Sequence, residues 1–176
     1  MECHEARIAR MRAAYRESHG RFVQRLKSLS ADLAQRTPPG GGWSAAQIGW
    51  HVAAVDASFA ALVSGERPAP ALPESFVERA WSDVIASIPD RLEASGSVVP
   101  PAAVPIGDVL RALEESAAKL DAALAGLTPA RGSRFGVTHE AVGTVSLYQV
   151  GDWAVAHTIR HNAQAKRVLA SERRGA

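Results

Sequence analysis

The stretch from Ser146 to Leu169, SLYQVGDWAVAHTIRHNAQAKRVL, constrains the fold most, because its stripe of Val150, Ala154, His157, His161, Gln164 and Val168 is that of one long helix. Two histidines sit in the middle of the face that should meet the rest of the protein. Residues four apart lie one turn apart on one helix face, so the His157 and His161 imidazoles can converge on a single ion. A pair is an incomplete site: catalytic zinc-type centres take three protein ligands and keep a position open for water or substrate. A fold built around this helix has to bring a third ligand from elsewhere. Its start also carries a signal, since Ser146 caps, Gln149 stands three residues later and Val145 can pack on Val150.

The same device recurs upstream. In WSAAQI, Ser44 caps, Gln47 can reciprocate and Trp43 can pack on Ile48, opening a helix that runs to about Val63, before Gly65 and Pro68. Its buried stripe is Ile48, His51, Val55, Phe59 and Leu62. A histidine among apolar neighbours is commonly a satisfied core residue, so His51 gains interest only beside the later pair. Before it, Ile8, Met11, Tyr15, Phe22, Leu26, Leu29 and Leu33 recur at three- and four-residue steps and predict a first helix from about Glu5 to Leu33. His19, next to Gly20 among Arg, Glu and Ser, is expected to be solvated, and terminal His4 to be mobile. TPPGGG, from Thr37 to Gly42, is a loop.

After the Pro-rich GERPAPALP, helical spacing predicts a short helix over Glu74 to Ile88, and Ser95 to Pro105 is a second Pro-rich crossover. Gly107 or Asp108 opens another long helix through Leu124, and Arg131 to Val145 reads as a loop holding His139. Four long amphipathic helices with two lengthy connections predict an all-α four-helix bundle with an extra short helix, a single domain over residues 1–176. In such a bundle metal sites are built from inward-facing side chains of facing helices, and His51 with His157 and His161 is placed to form one. Burying three unpaired imidazoles is costly, whereas coordination satisfies one nitrogen of each.

Composition removes several alternatives. A net charge of +2 gives no basic surface for nucleic acid, and a lone cysteine, Cys3, excludes an internal disulfide or a multi-cysteine metal cluster. The N-terminus lacks the apolar core of a signal peptide and no apolar run approaches a membrane span, so a cytoplasmic protein without membrane insertion is expected. Asp56 and Asp152 fall off the ligand faces by helical spacing.

The pieces WSAAQIGWHVAAVDASFAALV and HEAVGTVSLYQVGDWAVAHTIRHNAQAKRV resemble the DinB/YfiT-like superfamily of bacterial four-helix-bundle metalloproteins. Its pattern is a Trp-Ser helix start followed by a histidine, then a His-x-x-x-Gly-x-x-Ser-Leu loop leading into His-x-x-x-His-x-x-Gln. The resemblance implies that His51, His157 and His161 are the metal ligands, that Gln164 holds the family's glutamine position, and that His139 is the loop histidine. For Gln164 a contact to ligand or substrate stands beside an ordinary buried hydrogen bond, and for His139 a role at the site stands beside a loop hydrogen bond or cap. It implies nickel or zinc, or iron or manganese, in a homodimer. It also implies thiol-dependent chemistry on a small-molecule substrate, as in mycothiol-dependent maleylpyruvate isomerase and bacillithiol transferases. The rival expectation is a non-catalytic, stress-linked dimeric binding module with a structural or vestigial metal.

Overall fold

The computed structural model describes residues 2–89, 92–94 and 96–175. Four long helices form the bundle: α1 (His4–Lys27), α3 (Ala45–Ser64), α5 (Ile106–Ala125) and α7 (Leu147–Gly175). Short elements join them: α2 (Ala31–Gln35), α4 (Trp81–Ser87), a 3-10 turn (Gly96–Val98), α6 (Pro129–Arg134), and an antiparallel hairpin of β1 (Gly136–His139) and β2 (Gly143–Ser146). Helix α3 packs along α5 and α7, while α1 packs along α7 and α5. The described residues are mainly helical, an all-α bundle with the predicted long connections.

Two apolar clusters fill the interior, one around Met11, Tyr15, Phe59, Leu124 and Val150, the other around Phe22, Leu26, Ile48, Val52 and Leu113. By length and composition α3 could cross a membrane, yet 61% of its apolar window is buried inside the protein, as in a core helix.

Both predicted helix starts are present. Ser44 Oγ accepts from Gln47 N at 3.2 Å and Gln47 Oε1 accepts from Ser44 N at 2.9 Å. Ser146 and Gln149 make the same pair at 3.2 and 3.4 Å. The far end of α3 closes on Gly65, whose φ of 92° suits glycine, and Arg131 donates to Val63 O and Leu62 O at 3.1 and 3.0 Å.

Three expectations need correction. The first helix stops at Lys27 instead of reaching Leu33: Ser28 Oγ donates to Arg25 O at 2.7 Å, and Ser30 Oγ accepts from Leu33 N to start α2. Two serines so close divert the backbone from a continuous helix.

Within Glu74–Ile88 only Trp81–Ser87 is helical, because the preceding segment is held by distant partners. Glu78 bonds Ser146 Oγ and accepts from Arg7 at 2.9 Å, Arg79 O accepts from Gln149 Nε2 at 2.9 Å, and Arg79 donates to Val142 O at 2.6 Å.

Arg131–Val145 is not a loop throughout. Thr128 caps α6 with Pro129 at its first turn, and the hairpin pairs Val137 with Val145 and Thr138 with Thr144. Gly136 permits the close approach, since a Cβ there would lie 2.2 Å from Val145 O. In the second crossover, Ser95 lies outside the described residues.

Two histidines also differ from expectation. His19 is 6% exposed, its ring 5.5 Å from that of Tyr15 one turn earlier, and its Nε2 has no hydrogen-bond partner. Its sequence neighbours are polar, but its helix face is the one turned to the core. His4 is docked, with Nδ1 hydrogen-bonded to Tyr148 OH at 2.6 Å.

Candidate metal centre

Helix α3 supplies His51 and α7 supplies His157 and His161, and the bundle brings them together: one ligand-capable nitrogen from each lies within 4.8 Å of the others. His51 Nε2 and His157 Nε2 are 3.2 Å apart. Ring centroids are separated by 5.1 Å for His51 and His157, 4.8 Å for His51 and His161, and 4.3 Å for the pair on α7. Two nitrogens each about 2.1 Å from one cation can span a 3.2 Å separation.

The outer nitrogens set the tautomers of two of the rings. His51 Nδ1 donates to Val98 O at 2.8 Å, and His161 Nδ1 donates to Gln164 Oε1 at 2.7 Å. With the proton on Nδ1, each presents an Nε2 lone pair to the centre, the usual arrangement of a ligating imidazole held from behind. His157 differs, because its buried Nδ1 has no partner.

Either His157 donates Nε2–H toward His51 and keeps a bare buried acceptor, or it turns an Nε2 lone pair inward beside the other two. A cation bound by the three nitrogens relieves the lone-pair repulsion of the second arrangement.

Electrostatics favour neutral rings. Burial pushes His161 down to about 4, with the neighbouring His51 adding to it. Burial also lowers His51, against the opposing hydrogen bond to Val98 O, and lowers His157 well below the ordinary range, with His161 and His51 contributing. Three neutral imidazoles at pH 7 are the protonation state a divalent ion requires.

Gln164 thus contacts the site through His161 and fixes that ring. His139 does not join the triad: it is exposed at the end of β1, accepts from Ala141 N at 3.1 Å, and sets its ring 5.1 Å from Trp153. Trp153 in turn meets Phe59 at 5.0 Å, and Phe59 meets His157 at 6.5 Å. An aromatic wall therefore runs from the triad to His139. A cleft of about 450 Å³ beside the hairpin turn is lined by Phe76, Arg79, Ser87, Glu140 and Thr144, and none of the three histidines lines it.

The carboxylates stand apart, as spacing predicts. Asp56 is fully buried and accepts from Tyr15 OH at 2.7 Å, and Asp152 pairs with Arg10 at 3.1 Å and Arg7 at 3.7 Å. Two contributors escape sequence reasoning. Trp43, read there only as a partner for Ile48, places its ring 4.9 Å from His51. The Val98 carbonyl carries no side-chain signal at all.

The sequence model described as the DinB superfamily matches residues 14–165, a span that contains His51, His139, His157, His161 and Gln164. In three dimensions the chain is similar to a conserved protein from Enterococcus faecalis, solved by crystallography. The TM-score is 0.63 over 92% of this chain and 94% of that one, at 16% identity, a likeness of fold. No curated protein matches the sequence.

Proposed function

The chain belongs to the DinB superfamily, and on that footing we propose that His51, His157 and His161 hold a divalent cation and that the protein is a metal-dependent enzyme acting through a thiol or water. The observation that carries the reading is the convergence of three neutral imidazoles from two facing helices, two of them held by hydrogen bonds at Nδ1. An all-imidazole donor set is compatible with zinc, nickel and iron; the family resemblance puts nickel or zinc first, with iron or manganese as further candidates. When bound, the ion would supply Lewis acidity, lowering the pKa of a thiol or water.

The remaining roles belong to the chain's own residues. Val98 O and Gln164 keep His51 and His161 in the ligating tautomer. Trp43 and Phe59 exclude water from the flanks of His51 and His157. The aromatic contacts from His157 through Phe59 and Trp153 to His139 favour an electrophile with apolar character. A low-molecular-weight thiol as co-substrate makes the reaction an S-transfer or a thiol-assisted isomerisation; water makes it a hydrolysis.

Turnover decides between these and a structural metal. The metal-loaded protein is expected to consume an electrophile in the presence of mycothiol, bacillithiol or glutathione, and His51→Ala is expected to lose that rate. Absence of any metal-dependent rate, with each thiol and with water alone, would leave the site a structural one.

A further inference from the structure

The connection from α4 to α5 passes the edge of the triad, and over Gly96–Val104 side chains fix it to the bundle. Val98 O accepts from His51 Nδ1 at 2.8 Å, Pro101 O and Ala102 O accept from Gln47 Nε2 at 2.9 and 3.2 Å, and Val104 O accepts from Gln35 Nε2. Every one of these anchors is a donor on α2 or α3 reaching a carbonyl of the strap. That bias follows from sequence: Pro100 and Pro101 have no N–H, so this stretch offers acceptors. Pro100 and Val104 are buried and Val98 is half-buried, which beds the strap on the apolar clusters.

The consequence concerns His51. Its Nε2 faces the triad only while Nδ1 keeps its proton on Val98 O, so the ring's tautomer depends on where the strap lies. Gln47, one turn before His51 on α3, grips the strap three residues beyond Val98. We infer that Gln47 is a positioning residue for the metal centre: through the strap it holds Val98 O against His51 and so fixes the ligating tautomer, without touching the ion. The inference rests on the triad being the cation site proposed above.

Gln47 uses the two ends of its amide for different tasks, which makes the inference separable from helix capping. Its Oε1 closes the capping box on Ser44 N, while its Nε2 serves the strap. Glu at this position still accepts from Ser44 N but sets a carboxylate oxygen against two carbonyls, so Gln47→Glu keeps the cap and releases the strap. Ser44→Ala does the reverse.

Three readouts are compared in wild type, Gln47→Glu and Ser44→Ala: amide hydrogen exchange at Val98, Val99 and Ala102 to Val104, the His51 tautomer by nitrogen-15 NMR in EDTA, and zinc and nickel affinity by chelator competition. Gln47→Glu is expected to speed exchange across the strap, to convert His51 from one tautomer to a mixture, and to weaken metal binding about tenfold. Ser44→Ala should retain the wild-type tautomer and affinity within about twofold.

A wild-type tautomer in Gln47→Glu overturns the inference, whether or not metal binding weakens. A wild type that binds neither zinc nor nickel, but whose His51 tautomer still shifts in Gln47→Glu, sinks the cation reading alone and keeps Gln47 as the residue that sets His51.

Discussion

A His157→Leu variant is expected to bind divalent metal at least about a hundredfold more weakly than wild type, because loss of a ligand exceeds the 10- to 100-fold typical of losing a residue behind one. In EDTA the same variant is expected to be more stable than wild type, by about 1 kcal/mol. The two signs have one cause. His157 places a buried Nδ1 where nothing satisfies it, with Nε2 only 3.2 Å from His51 Nε2. Such a group costs about 1–3 kcal/mol in a metal-free fold, and leucine also suits the middle of α7 better than histidine. Urea unfolding in EDTA, with chelator competition for affinity, measures both. Destabilisation in EDTA like that of an ordinary core truncation would mean His157 is retained for packing and would count against the site.

Asp56→Asn is expected to stabilise the protein by about 2–4 kcal/mol at pH 8 and to change little at pH 4. Asp56 is fully buried, Tyr15 OH is its partner at Oδ2, and Oδ1 has none. Burial raises its pKa from 3.8 to about 7, opposed in part by the Tyr15 hydrogen bond. Below about pH 4 both folded and unfolded chains carry the proton and the residue contributes no pH dependence. Between pH 4 and 7 the unfolded chain releases its proton while the folded one keeps it, so stability falls as pH rises and levels off above 7.

Asparagine mimics the protonated acid at every pH and removes that loss. His19, lowered by burial to about 4, acts in the opposite direction: its contribution is complete above 6.5 and is lost as pH falls toward 4. It is common to both proteins and cancels in the difference. Urea titrations at pH 4.5, 6 and 8 in EDTA give the curve, and a difference independent of pH would show that Asp56 is ionised in the fold.

Much of the site was legible because it lies within single helices. The spacing of His157, His161 and Gln164, and the two Ser-x-x-Gln starts, follow from periods of three and four residues, and the structure has the His161–Gln164 pair and both starts as hydrogen bonds. What escaped depends on partners far away in sequence. Glu74–Ala80 has helical spacing yet is a turn followed by irregular chain, because Arg79 answers to Val142 and Gln149, 63 and 70 residues distant. His19 looked solvated from its neighbours along the chain, whereas its neighbours across α1 and the core decide its burial. The hairpin strands are four residues each, too short for alternation to stand out from a glycine-rich loop. Val98 acts through its backbone oxygen, which any residue would supply.

Metal content tests the central claim most directly. Protein purified without a histidine tag and without added metal is expected to carry about one equivalent of a divalent ion, nickel or zinc foremost, and to lose it when His51, His157 or His161 is replaced by alanine. Less than about a tenth of an equivalent, unchanged in all three variants, would contradict the assignment of these histidines as ligands.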